Sequence, residues 1–243
     1  MRILTHNAYW FQGWPSRWGS ERVAEVGEVV QALTKLYRSA RPDVVCLQEV
    51  QRADLAASLS AGLGLPAWLH APGGRRSDYG GAILGPRQAR LRDLTRPDGR
   101  AEYERVHLRA RVPLADGLLE VAAIHLSSNR YAGSAAAGES ARLAELDGVL
   151  ATPPRPNVVL GDMNSLADSL PYRRMTECGY VDAAAAGDRA AFRPRVDYIW
   201  VDADWASRVI DLAVLDDGPF VRRDGDGSPW RLSDHAPLLV ELR

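Results

Sequence analysis

Asn157–Ser165 reads NVVLGDMNS, an apolar run from Val158 to Leu160 that stops at Gly161 and delivers Asp162 and Asn164 two residues apart. The run is long enough for a buried strand, and Gly161 lets the backbone turn without a side chain in the way. Asp162 and Asn164 then fall at a rim, where loops held by a rigid sheet carry function. Taken alone, the stretch reads first as a turn, because Asp and Asn both favour turns and helix caps.

The same arrangement recurs along the chain. Arg2–Thr5 reads as a short strand ending in His6 and Asn7, and Asp43–Gln48 as a buried strand with Glu49 at its end. His125 lies in VAAIHLSSN, Asp197 in RVDYIWV, and Asp234–His235 immediately precede a last strand from Pro237 to Leu242. One buried polar group of this kind is usually satisfied structure. A set of carboxylates, amides and imidazoles placed at strand ends over the whole chain is harder to explain as independent accidents.

Between these points the pattern is mixed. Ser20 as N-cap followed by Val23, Val26, Val30, Leu33 and Tyr37 predicts a helix closed by Arg41–Pro42, and Leu55, Leu59 and Leu63 predict a second over Ala53–Leu63. Short strands follow: Ala67–His70, Tyr79–Leu84, Leu91–Thr95, Tyr103–Val112 and Leu118–Leu126. Val106, Leu108, Ala110 and Val112 alternate with His107, Arg109 and Arg111. Antiparallel pairing by short turns fits here better than βαβ units. A helix over Glu139–Leu150 with Leu143, Leu146 and Leu150 inward precedes Pro153–Pro154. A short helix at Leu170–Glu177 and strands at Val196–Val201 and Val209–Leu215 complete the pattern, with Asp216–Pro229 as a surface loop. Tyr9–Gly19, holding Trp10, Trp14 and Trp18, reads equally as a plug over the core edge and as a wall of the site. No repeat or composition shift marks a boundary, so residues 1–243 are expected to form a single domain.

Composition limits the function classes. At 243 residues with 46% hydrophobic and 25% charged residues, this is an ordinary globular chain, and its net charge of −1 argues weakly against a protein that coats nucleic acid. Lys35 is the single lysine. Cys46 and Cys178 make no disulfide framework, no stretch approaches the roughly 18 apolar residues of a membrane span, and the N-terminus lacks a secretory apolar region. A cytoplasmic monomer is the expectation.

There is no HExxH, CxxC, GxSxG or GxxxxGK[ST] motif, which disfavours structural zinc, acyl-enzyme chemistry and a nucleotide cradle. Carboxylates with amides suit a hard cation, Mg²⁺ with Mn²⁺ as alternative, that completes its shell with phosphate oxygens. Hydrolysis of a phosphoester then needs a base for the attacking water, for which Asp162 is the candidate. It also needs donors where negative charge grows, for which His235, His125 and the amides are candidates.

The ordered set Thr5–Asn7 (THN), Leu47–Val50 (LQEV), Ile124–Ser128 (IHLSS), Gly161–Ser165 (GDMNS), Arg195–Val201 (RVDYIWV) and Ser233–Leu242 (SDHAPLLVEL) resembles the endonuclease/exonuclease/phosphatase superfamily. The likeness runs from Leu4 to the C-terminus, and GDxN with a terminal SDH before an apolar strand is specific in combination. It implies an α/β (α+β) four-layer α/β/β/α sandwich of two mixed sheets, deoxyribonuclease I-like, with the site at one end. By the resemblance Glu49 is the principal metal ligand, with Asn7 close to metal and phosphate and Asp234 binding or approaching metal. Asp162 activates the attacking water, and Asn164 holds it together with a phosphoryl oxygen. His235, held by Asp197, and His125 stabilise the charged transition state. The Asp197–His235 pairing also fixes a tautomer and favours the imidazolium. Tyr9 stands where many repair nucleases carry an acidic residue, and His125 is closer to the deoxyribonuclease I, phosphatase and sphingomyelinase branches than to exonuclease III.

The resemblance leaves the substrate open. Arg75, Arg76, Arg130, Tyr131 and the tryptophan loop border the expected site, with Arg130 as a phosphate-binding candidate in an Arg130–Gly138 loop. The leading expectation is a divalent-metal-dependent phosphoester hydrolase, a phosphodiesterase or phosphatase, acting on a small or lipid-like substrate. A nuclease acting on DNA or RNA is the alternative, and a catalytically silent phosphate-ligand binding protein a further one.

Overall fold

The structure is a computed structural model that describes residues 1–15, 25–96, 103–186 and 195–243. One sheet runs, edge to edge, β11 (Val209–Val214), β14 (Leu238–Leu242), β1 (Arg2–Asn7), β2 (Val44–Gln48), β4 (Gly81–Gly85) and β3 (Ala67–Ala71). The other runs β5 (Arg90–Asp93), β6 (Val106–Leu114), β7 (Gly117–His125), β8 (Val158–Asp162), β10 (Asp197–Asp202) and β9 (Tyr180–Asp182). Both are mixed: β1–β2 and β7–β8 are parallel, and the other pairings are antiparallel.

Alternation along the strands builds the layers. Ile3, Cys46 and Ile83 of the first sheet meet Leu108, Val121, Leu160 and Ile199 of the second in a shared core. Leu4, Val45, Leu47 and Leu84 point the other way, onto α1 (Gly27–Ala40) and α2 (Ala53–Leu63). Ala122, Ile124, Val159 and Trp200 pack the second sheet against Leu146 and Val149 of α4 (Ala135–Ala151) and Met175 of α5 (Leu170–Glu177). Every residue of β2 and β8 is therefore buried, as strands covered on both faces must be. Each aliphatic side chain withdrawn from water contributes roughly 1.5–3 kcal/mol. The result is the expected four-layer α/β/β/α sandwich. Both cysteines are free thiols, Cys46 buried, and no helix among the described residues is long and apolar enough to cross a membrane.

Several expectations need correction. Gly161 is no turn residue: β8 runs through it to Asp162. Its φ of +131° and its packing explain the glycine, since a Cβ there would lie 2.0 Å from the Ile124 carbonyl oxygen on β7. Gly161→Ala should therefore cost on the order of 3 kcal/mol or more through strain and overpacking, read as a lowered midpoint in chemical denaturation.

The inward face of α4 is not a leucine stripe. Leu146 and Val149 share it with Arg142 and Glu145, while Leu143 and Leu150 are half-buried. Arg130–Gly138 is not a loop either, because α3 (Asn129–Ala132) and the start of α4 occupy it, with Ser134 capping α4 through the Ala137 N–H. Within Asp216–Pro229, Phe220 is buried, and β12 (Val221–Arg223) pairs with β13 (Pro229–Arg231). β9, α3 and α6 (Ala183–Ala186) were not expected, being too short for a periodic signal. Trp18 and the Ser20 and Val23 start of the first helix lie outside the described residues, and α1 begins at Gly27.

Candidate active site

The polar strand ends meet at one end of the sandwich because of register. Parallel pairing sets Asn7 beside Gln48 and His125 beside Asp162, while antiparallel pairing sets Asp197 opposite Asp162. Glu49 follows β2 with φ +57°, and Asn164 follows β8 with φ +48°. Left-handed backbone at two non-glycine residues of one cluster is the kind of strain that a surrounding structure must enforce. Asn7, Glu49, His125 and Asp162 are buried there; Asn164, Asp197 and His235 are half-buried.

Asn7 straps the two carboxylates together. Its Nδ2 donates to Glu49 Oε1 at 3.3 Å and to Asp162 Oδ2 at 3.1 Å, while its Oδ1 accepts from the Tyr9 N–H at 3.1 Å. In this arrangement Asn7 is a donor to both carboxylates and an acceptor from the Tyr9 N–H. Asp162 Oδ1 accepts from the Asn164 N–H at 2.8 Å, and the Asn164 side chain donates to the Leu126 carbonyl at 2.9 Å.

The two histidines differ in charge. His235 Nδ1 bonds Asp197 Oδ2 at 2.6 Å, leaving Nε2 4.0 Å from Asp162 and 3.9 Å from Asp234. Burial disfavours its charged form, but Asp197, Asp162 and Asp234 outweigh that and raise its pKa well above the usual imidazole value, which favours the imidazolium. His125, fully buried, is pulled down to about 4 by burial and by Arg105. Its Nε2 lies 3.2 Å from Asp162 and also meets Arg105 Nη1, which can only donate. Its Nδ1 is buried with no hydrogen-bond partner. Burial opposes ionisation of Asp162, yet His125, His235 and Arg105 hold it well below the usual carboxylate range.

Arg105 and Tyr79 were missed by sequence reasoning. Arg105 is 5% exposed, lies 3.8 Å from Glu49 Oε1 and stacks 4.2 Å above the Tyr79 ring. The Tyr79 hydroxyl meets that of Tyr131 at 2.7 Å. The signal available for Arg105 was position alone, since it precedes Val106, the register partner of His125. His6 was also read only as a strand end. It is neutral, its pKa pulled down to about 3 chiefly by burial. Its Nε2–H donates to the His235 carbonyl at 2.9 Å, and Ser233 Oγ donates to the Asn7 carbonyl at 2.7 Å. These bonds fix the loop that presents Asp234 and His235.

Beneath the site, Glu145 accepts from the Glu104 N–H at 2.7 Å and from the Ser127 N–H at 2.8 Å, and Arg142 donates to the Ser127 carbonyl at 3.2 Å. The polar face of α4 thus pins the segment that follows His125. At the rim, Arg76 stacks 3.9 Å over Tyr131 and Arg75 pairs with Glu145 at 3.5 Å. Arg130 is exposed on α3, 5.6 Å from the Tyr131 ring, and does not join the cluster. Trp10 is a plug, buried with its indole N–H on the Asp78 carbonyl at 2.8 Å, whereas Trp14 is 44% exposed and bridged to Arg231.

A cation has two sets of groups to choose from. Asp162, Asp197 and His235 offer ligand atoms within 4.8 Å of one another, but His235 Nδ1 and Asp197 are already bonded to each other. Glu49 fits better. Its Oε2 is buried with no hydrogen-bond partner, and its pKa is pushed up to about 8 by burial, against Arg105 and with Asp234 and Asp162 adding to the rise. A buried carboxylate beside two others is an incomplete arrangement that a hard cation would complete.

The fold is shared with proteins of known structure. The chain superposes over its whole length on an endonuclease/exonuclease/phosphatase from Beutenbergia cavernae (TM-score 0.69, 18% identity, 71% of that chain). The same holds for a mannosyl-6-phosphatase from Bacteroides thetaiotaomicron (0.67, 16%, 99%) and a 3′ phosphatase from Neisseria bound to product DNA hairpin (0.66, 19%, 99%). At these identities the likeness shows the fold. No curated protein matches the sequence. The profile of the Endonuclease/Exonuclease/phosphatase family matches residues 4–235, and the chain belongs to that family.

Proposed function

We propose that the chain is a divalent-metal-dependent phosphoester hydrolase that adds water to phosphorus in a small or lipid-like substrate. The observation that carries this reading is Asp162 placed 4.0 Å from Nε2 of His235, whose other nitrogen is held by Asp197 in an arrangement that favours the imidazolium. A base and a cationic donor side by side are what water attack on a phosphoester needs.

Asp162 takes the proton of the attacking water, its orientation set by the Asn164 and Asn7 donors. His235 Nε2–H donates to the phosphoryl oxygen on which charge accumulates. The Asn164 amide, with one N–H spent on Leu126, keeps a second for the water or the phosphoryl group. Arg105, in contact with His125 and 3.8 Å from Glu49, adds positive charge beside the same group. Glu49 with Asp234 would hold Mg²⁺ or Mn²⁺, which when bound neutralises charge and polarises a phosphoryl oxygen. A cleft of about 380 Å³ bounded by Arg195, Arg231, Asp234 and His235 offers room for the rest of a small substrate. The net charge of −1 argues weakly for a small substrate over a polynucleotide, and the free thiols fit a reducing, cytoplasmic setting.

The test is a panel of metals against substrates: a bis-aryl phosphodiester, sugar and inositol phosphates, mononucleotides, phospholipids, DNA and RNA. Turnover of a small phosphoester with Mg²⁺ or Mn²⁺, abolished by chelator, is the expected result. Hydrolysis confined to DNA or RNA, with steep salt dependence, would replace this reading by the nuclease one. No turnover under any metal would leave a silent binding protein.

A further inference from the structure

The outer face of the second sheet carries a groove that the proposed chemistry does not use. β5 is an edge strand, and its register against β6 sets Arg90 opposite Arg111 and Arg92 opposite Arg109. Like charges directly opposite on one sheet face destabilise the pairing, and here two such pairs lie side by side. Val106, at the start of β6, faces His125. At about 3.3 Å per residue, Arg109 and Arg111 lie roughly 10 and 17 Å farther from the active-site end. These four arginines line a cavity of about 180 Å³, walled by Pro153 and Pro154 and holding a single acidic residue, Glu120, in its lining.

Arg109 is the fixed part of the groove. It is 5% exposed and donates to the carbonyls of Val149 at 2.8 Å, Thr152 at 3.1 Å and Pro154 at 3.1 Å, and to His107 Nε2 at 3.0 Å. The first two acceptors end α4, and their helix dipole offsets part of the guanidinium charge. His107 brings no negative charge, since burial and Arg109 pull it down to about 3 and keep it neutral. A buried cation met only by neutral acceptors lacks the counter-charge such groups ordinarily have. Arg111 is paired with Glu120, while Arg90 and Arg92 are exposed and form no ion pair with a described residue. Four guanidiniums thus surround one carboxylate around a space suited to a tetrahedral oxyanion; Arg90 and Arg92 offer forks that match phosphate oxygens bidentately, while Arg109, its N–H groups largely spent, adds charge.

We propose that this groove is a second, non-catalytic anion site that takes a phosphate group, either inorganic phosphate or the head of a phosphorylated small molecule. The proposal does not depend on the reaction assigned to the active site. Inorganic phosphate titrated calorimetrically into the full chain, in chloride buffer with EDTA to remove divalent cations, should show one saturable site. The Arg90→Ala/Arg92→Ala double variant should bind about tenfold more weakly or worse, and His235→Ala should leave this site unchanged. A sugar phosphate that competes with higher affinity assigns the groove to a phosphorylated ligand, whereas weaker competition assigns it to free phosphate. Both replaced side chains are exposed on an edge strand, and circular dichroism with thermal melting verifies the fold. No saturation up to on the order of 10 mM phosphate, unchanged affinity in a folded double variant, or loss of the site in His235→Ala overturns the proposal.

Discussion

Asp162→Asn is expected to lower kcat on a small phosphoester by about 10²–10⁴-fold, with little change in KM. The amide has the shape of the carboxylate but cannot accept the proton of the attacking water. It also breaks one local bond whichever way it is turned. With its oxygen at the Oδ1 position it keeps the Asn164 N–H and sets an NH₂ against the Asn7 amide; turned over, it keeps Asn7 and loses Asn164. The fold should survive, because the strand register and the Gly161 packing do not involve the carboxylate. His235→Ala should lose on the order of 10² or more through the donor to the phosphoryl oxygen. Addition of imidazole should recover part of that loss but none of the loss in Asp162→Asn. An effect below tenfold for either variant, with the fold intact, would remove that residue from the proton transfer or charge stabilisation assigned to it.

The fold was legible in the sequence wherever one face of an element had to be buried. Val44–Gln48 and Val158–Leu160 could only be strands covered on both sides, and α2 was read to its observed ends because Leu55, Leu59 and Leu63 repeat at helical spacing. Where packing rather than pattern decided, the reading failed. α4 turns Arg142 and Glu145 inward to bind the backbone around Ser127, a purpose that hydrophobic periodicity cannot reveal. Gly161 was read for its local freedom, whereas the reason for it is a close approach to β7, a strand more than thirty residues earlier. The candidate site divides in the same way. Asn7, Glu49, His125, Asp162, Asn164, Asp197 and His235 could be found because each interrupts or ends an apolar run. Arg105, Tyr79 and His6 looked like ordinary residues of expected strands or strand ends, and only the pairing of β6 with β7 and the packing of α1 against β1 show what Arg105 and His6 touch. Arg130, near His125 in sequence, is exposed on α3.

Glu49→Gln is expected to abolish metal-dependent turnover and, more diagnostically, to separate metal binding from folding. In the wild-type chain a divalent cation that binds only the folded state at a hundred times its Kd should add about 2.7 kcal/mol of stability. For a chain of this length that raises the melting temperature by roughly 5–10 °C. The variant should show little or none of that shift, because it removes the negative charge of the carboxylate whose Oε2 is buried and unpartnered. Its remaining oxygen can still accept from Asn7, so the local geometry has a reason to persist. With chelator present the order should reverse. Glu49 is 5% exposed, and burial with Asp234 and Asp162 outweighs Arg105 and pushes its pKa up to about 8, so in the absence of a cation its charged form is disfavoured. The neutral amide should then melt at or above the wild-type temperature. A residue whose loss stabilises the metal-free fold while abolishing the metal-dependent shift is held in place by its ligand rather than by the protein. A variant that keeps both the shift and the turnover would move the cation to the Asp162, Asp197 and His235 group and leave Glu49 as a partner of Arg105.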